Sequence, residues 1–207
     1  MAGLYIGIDP GKKGFSFEID SETGRFLRAD AQPLIGKQKG DTFDLGEMRR
    51  RILRWKEESE GALLVVLEEL HPMGGAKGSQ AIWNQALGYM AWKAELAALE
   101  VRCITKTKGF LKKVMGIPTP SRIPKESPLP KKATKAEKAA WAKRDRARLT
   151  RYGKQVKAAA IAVALQYFPD VDFKRTPRCE GPDDNKCEAG LYAVMASKID
   201  PVRTGVV

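Results

Sequence analysis

Histidine is nearly absent from this 207-residue chain, which has only His71, and its three cysteines, Cys103, Cys179 and Cys187, contain no Cys-x-x-Cys pair. An odd number of cysteines without that spacing indicates no disulfide framework, and the spacing of His71, Cys179 and Cys187 fits no zinc pattern, so reduced thiols are expected. No apolar run approaches the roughly 18 residues of a transmembrane helix. The opening MAGLYIGIDPGKKG has neither the charged start nor the cleavage site of a signal peptide, so a soluble, cytoplasmic protein without a membrane partner is expected. Acid is in short supply as well: 25 Asp and Glu face 37 Lys and Arg, for a net charge of +12 and a pI near 9.7. An excess of that size suits a polyanion, because each cation placed on a phosphate releases condensed counterions. The rest of the composition, 43% hydrophobic and 30% charged, is that of one globular domain spanning residues 1–207.

Apolar patterning predicts three sequential strands, at 4–8, 15–19 and 26–31, joined by Gly/Lys and Ser-Glu-Thr-Gly turns. Asp44 and Glu47 stand three apart, as an N-cap and its N3 partner do, ahead of Met48, Ile52 and Trp55 at helical spacing. The continuous run 63–67 reads as a strand buried on both faces and parallel to its neighbour. Ser79 is positioned to cap a helix to about Leu99 whose apolar stripe is Trp83, Leu87, Met90, Ala94 and Ala97, and 101–105 reads as another strand. The order β-β-β-α-β-α-β followed by further helices is that of an α/β, RNase H-like fold: a mixed five-stranded sheet flanked by helices.

Residues 101–157 hold 18 Lys or Arg against 3 Asp or Glu, so the remainder of the chain is slightly acidic. Within them, 118–130 carries five prolines and is expected to be irregular, while Thr134-Lys-Ala-Glu137 is a capping box opening a basic helix with little apolar face. The segment 118–150 thus reads as a basic helical insertion, either a solvated charged helix or one laid on a polyanion, with Trp141 and Tyr152 as candidate stacking groups and charge of one sign favouring the polyanion. From Gln155 the pattern turns amphipathic through Val156, Ala159, Ala160, Val163 and Tyr167, and Cys187, Leu191, Val194 and Met195 mark a last helix after Asp183-Asp184.

Four acidic positions stand where acid is structurally awkward. Asp9 closes the first buried strand in IGIDPG, Glu68 closes the most apolar strand in LLVVLEEL, and Asp184 and Glu188 lie four apart at the start of the last helix. Taken singly, each has an ordinary explanation as a cap, turn or solvated end. Taken together, carboxylates closing adjacent strands and meeting a helix start repel unless a cation sits between them. Oxygen-only ligands select hard cations, so Mg²⁺ is expected, with Mn²⁺ as a substitute, and two ions would suit phosphodiester hydrolysis.

IGIDPGKKG, VVLEELHPMGG, WNQALGYMAWKAELAALEVRCIT and DDNKCEAGLYAVMA, in that order, resemble the RuvC-like Holliday junction resolvases of the RNase H-like superfamily, especially the smaller phage forms. The resemblance implies that Asp9, Glu68, Asp184 and Glu188 are both metal ligands and catalytic residues, with Glu68 preferred to Glu69 and Asp183 a possible stand-in for Asp184. It places Lys112 and Lys113 near the scissile phosphate. Lys12, Lys13, Lys106, Lys108, Lys154 and Lys157 complete the candidate DNA contacts. The expected activity is metal-dependent cleavage of four-way and other branched DNA by a homodimer. The helix from Ser79 is the candidate interface, because Trp83, Tyr89 and Trp92 lie around it. The same carboxylates would equally serve a nuclease for flaps or RNA/DNA hybrids, and a branched-DNA-binding protein without catalysis is the non-enzymatic rival. A sugar kinase, suggested by IGIDPG, needs about twice this length.

Overall fold

A computed structural model of the chain describes residues 3–36, 42–69, 79–121, 127–128 and 132–200. His71 and most of the proline-rich segment lie outside them; residues 118–121 and 127–128 have no helix or strand. Strand β1 (Leu4–Ile8) pairs antiparallel with β2 (Phe15–Asp20), which pairs antiparallel with β3 (Phe26–Ala31). On its other side β1 pairs in parallel with β6 (Leu63–Glu68), and β6 with β7 (Cys103–Lys106), giving the order β3-β2-β1-β6-β7. Between β3 and the first helix, β4 (Leu34–Ile35) and β5 (Thr42–Phe43) form a separate two-stranded sheet. Two residues a strand is too short for a period to show in sequence.

Strand alternation divides the core in two. Leu4, Ile6, Ile8, Val65 and Leu67 face α1 (Leu45–Glu58) and α2 (Ser79–Ala98), where Met48, Ile52, Trp55, Trp92 and Leu96 are fully buried. Asp44 caps α1 as its spacing predicts, accepting a hydrogen bond from the Glu47 N–H at 2.9 Å. Tyr5, Phe17, Leu64 and Val66 face α3 (Lys108–Met115), the C-terminal part of α4 (Lys135–Tyr167) and α5 (Asp184–Ile199). The last helix presses closely on β1: a Cβ on Gly7 would lie 2.0 Å from the Ala189 carbonyl oxygen, so only glycine admits α5 there.

Three sequence expectations are corrected. The stripe on α2 exists but faces outward: Trp83, Leu87 and Met90 are 61%, 41% and 59% exposed, and Ala94 and Ala97 are exposed with them. The inward face is Gly88, Trp92 and Leu96, because a Cβ at Gly88 would meet the Pro10 carbonyl oxygen at 2.0 Å and Trp92 stacks on Trp55, ring centroids 5.7 Å apart. Ser79 is already the first helical residue rather than the cap. From Lys135 the basic part of the insertion and the amphipathic segment after it form one 33-residue helix, α4, opened by the Thr134–Glu137 capping box. No proline interrupts it; Ala160 and Ala164 seat it on the core, while Tyr167 is exposed.

Candidate metal centre

Register and alternation bring the first two carboxylates together. Ile8 of β1 pairs with Leu67 of the parallel β6, so Asp9 and Glu68, each one residue further on, emerge side by side at the carboxyl ends of neighbouring strands. Both alternate with residues of the α5 face, Gly7 and Val66, and so share it. It is also the point where the sheet switches from antiparallel to parallel pairing, where ligands of open α/β sheets gather. Glu188 precedes Ala189, the residue laid on Gly7, and the close crossing of α5 carries it to the same spot. Asp9, Glu68 and Glu188 each offer a carboxylate oxygen within 4.8 Å of the others.

Asp9 and Glu68 are 6% and 5% exposed, and three acids in so small a space shift one another's protonation. Burial first, then the charges of Glu188 and Asp184, push the Asp9 carboxyl up to about 6 against the pull of Lys108 and of the Gly11 N–H, which donates to Oδ1 at 3.1 Å. Burial, then Asp9 and Glu188, push Glu68 up to about 8, again opposed by Lys108. The Lys108 ammonium lies 2.5 Å from Glu188 Oε2 and 3.5 Å from Glu68 Oε1. Burial would lower its affinity for the proton, but Glu188, Glu68 and Asp9 outweigh that and hold it above the ordinary lysine range. The Tyr192 hydroxyl is buried without a hydrogen-bond partner among the described residues, and burial together with Glu68, Glu188 and Asp9 raises its pKa.

The two aspartates opening α5 have separate roles. Asp183 is the N-cap, accepting from the N–H groups of Asn185 at 2.9 Å and Lys186 at 3.2 Å and from Arg175 Nε at 2.6 Å. Burial opposes ionisation there, yet Arg175 and those N–H groups hold its carboxyl below the usual range. Asp184 is not part of the 4.8 Å group; it pairs with Lys157 at 2.5 Å and remains close enough to raise the Asp9 pKa. Glu69, half-buried, is also outside the group.

Of the candidate lysines, Lys108 touches two of the three carboxylates and Lys157 touches Asp184. Lys106 pairs in register with Glu68 and lays its ammonium over the Phe110 ring, 4.5 Å from the centroid. Lys12 and Lys13 occupy the turn after Asp9, and the Lys13 carbonyl accepts from Arg175. Lys112 and Lys113 lie in the last turn of α3, at the opposite end of that helix from Lys108, and Lys154 is exposed on α4. Gln32 was not foreseen: its Nε2 donates to the Asp9 carbonyl and its Oε1 accepts from Trp92 Nε1, both at 2.6 Å and both buried. A lone glutamine before Pro33 carries no sequence signal.

No family model matches the chain, and no curated protein sequence matches it. Among solved structures it is similar to Thermus thermophilus RuvC in complex with a Holliday junction substrate, with a TM-score of 0.52 and 11% identity over 98% of this chain and 96% of that one. A second Thermus thermophilus RuvC structure gives 0.47 and 13% over the same shares. The first match covers the sheet and both helical layers together: the chain has a RuvC-like, RNase H-like fold.

Proposed function

We propose that the protein is a Mg²⁺-dependent endonuclease that resolves four-way junctions and other branched DNA as a homodimer. The observation that carries this reading is the convergence of Asp9, Glu68 and Glu188, two of them buried, at the mouth of a RuvC-like sheet. The donor set suits a hard divalent ion: it is all oxygen, burial first and then the neighbouring carboxylates raise its carboxyl pKa values, so a cation is what would let all three ionise together, and the unpartnered Tyr192 hydroxyl lies beside it. Asp9, Glu68 and Glu188 would hold one ion, and Asp184, one helical turn before Glu188, would join them for a second, with Mn²⁺ able to substitute. When bound, such ions supply an activated water and stabilise charge on the departing 3′-oxygen.

The chain's own groups do the positioning. Gly11 N–H orients the Asp9 carboxylate through Oδ1, and the hydrogen bond from Gln32 fixes the Asp9 backbone. Lys108 balances the carboxylates without metal and would turn to a phosphate oxygen when cations take over that task. Lys12, Lys13, Lys106, Lys112 and Lys113 would hold the backbone on either side. We take residues 1–207 as one nuclease domain with α4 as its basic elaboration. Two opposed cuts need two sites, and the outward stripe Trp83, Leu87 and Met90 is an apolar surface that a second copy would cover. Among the described residues no helix is long and apolar enough to cross a membrane.

Labelled four-way junction, linear duplex, flap and RNA/DNA hybrid, each incubated with Mg²⁺ and either the parent or Asp9→Asn, test the reading. Cleavage of the junction by the parent alone supports it. Cleavage of flap or hybrid in preference to the junction removes the substrate claim, and binding of the junction without cleavage removes the enzyme.

A further inference from the structure

The part of α4 that precedes its seat on the core carries charge of one sign on one face. Its only acids are Glu137, which closes the capping box with Thr134, and Asp145, which pairs with Arg148 at 2.8 Å. Lys143, Arg146, Arg151 and Lys154 are exposed, and none forms an ion pair with a described residue. At about 100° per residue these four fall within an arc of roughly 140°. With Ala147 and Thr150 they line a shallow concavity of about 440 Å³. The same arc runs on to Lys157, whose ammonium holds Asp184, and then to Ile161 and Ala164, which pack on the core. The helix therefore presents its four charges on the side that meets the acidic end of α5.

We propose that this face is a docking surface for the backbone of one duplex arm of branched DNA, leading from the metal centre outward; the proposal rests on the branched-DNA reading above. Like charges three, five and eight residues apart on one face repel one another, and phosphates relieve that repulsion. Lys143 to Lys157 spans about 21 Å at 1.5 Å per residue, or about six base pairs at 3.4 Å each. The occupant is duplex rather than unpaired strand because the face has no ring to stack on. Trp141 and Tyr152, expected from sequence as stacking groups, lie on the opposite side of the helix by the same angular count, and Trp141 Nε1 is committed to the Ser127 carbonyl at 3.0 Å.

The test is junction binding by the full chain with metal chelated, measured across about 50–200 mM salt, for the parent and for the combined Lys143→Gln, Arg146→Gln, Arg151→Gln and Lys154→Gln variant. Each phosphate contact contributes about 0.9 to the slope of log affinity against log salt. The slope is expected to fall by about 3–4 in the variant, to stay unchanged in Lys138→Gln on the far side, and to fall in the parent when every arm is cut to about three base pairs. Circular dichroism checks that the variant keeps its helix, and Lys143→Glu with Arg151→Glu provides a second pair on the same face. An unchanged slope in both variants overturns the proposal, even if the parent cuts junctions. A reduced slope in the variants of a parent that cuts no branched DNA upholds the surface and removes the resolvase.

Discussion

Glu68→Gln should stabilise this protein at alkaline pH in the absence of metal. Burial and two neighbouring carboxylates raise the Glu68 pKa from 4.5 to about 8 in the folded state, and each unit is worth about 1.4 kcal/mol. A carboxyl raised in the folded state favours folding fully below its unfolded pKa and loses that contribution as pH rises through its folded one. The parent therefore loses stability between about pH 4.5 and 8, at a slope approaching 1.4 kcal/mol per unit. Shared titration with Asp9 spreads the loss, leaving a difference on the order of 3 kcal/mol near pH 8.5. Glutamine has no charge to desolvate and retains the shape, so the variant keeps only the smaller loss that Asp9, raised to about 6, contributes at the acid end of that window. At this chain length 3 kcal/mol corresponds to roughly 6–12 °C in Tm. Thermal unfolding at about pH 5 and pH 8.5, with chelator and with Mg²⁺, measures it. The two proteins should match at low pH, separate at high pH, and separate less when Mg²⁺ is added, because the ion stabilises chiefly the parent. Parallel pH curves, or a variant weaker than the parent at pH 8.5 in chelator, would refute the reasoning.

Three further outcomes follow from other contacts. Lys108→Ala leaves Glu68 and Glu188 without their cation, so the Mg²⁺-induced rise in Tm at about pH 8 should exceed the parent's; an equal rise places the ammonium outside the charge balance. Gln32→Leu strands the Asp9 carbonyl and Trp92 Nε1 in the core, at a cost of about 1–3 kcal/mol for each unsatisfied group, which urea unfolding reads; a loss well under 1 kcal/mol would contradict the two hydrogen bonds. Leu87→Arg with Met90→Arg should convert a dimer to a monomer in sedimentation while circular dichroism shows the helix content unchanged; a parent that is already monomeric removes the interface.

The sheet was legible because its strands announce themselves twice. β1 and β6 are short buried apolar runs, and each is closed by an acid, an unusual pairing when it occurs twice. Parallel pairing then places Asp9 beside Glu68 with no further information. The orientation of α2 was not legible: the helix is apolar on more than one side, and periodicity selects Trp83, Leu87 and Met90 as readily as Gly88, Trp92 and Leu96. Glycine adds nothing to an apolar count, yet the approach of Gly88 to Pro10 decides which face turns inward. The acidic helix shows the same limit. Spacing offers Asp183 and Asp184 equally, whereas the fold commits Asp183 to the cap and to Arg175 and leaves Asp184 with Lys157. Lys108 was named among several basic residues, and its contact with the carboxylates depends on where α3 starts, a matter of tertiary placement.

A supercoiled plasmid carrying an extruded cruciform, incubated with Mg²⁺ and sampled over time, tests the central claim most directly. Two coupled cuts across the junction convert it to linear DNA with little nicked intermediate, and Asp9→Asn leaves it supercoiled; that is the predicted result. Accumulation of nicked circles alone, or equal cutting of a plasmid without the cruciform, would contradict it.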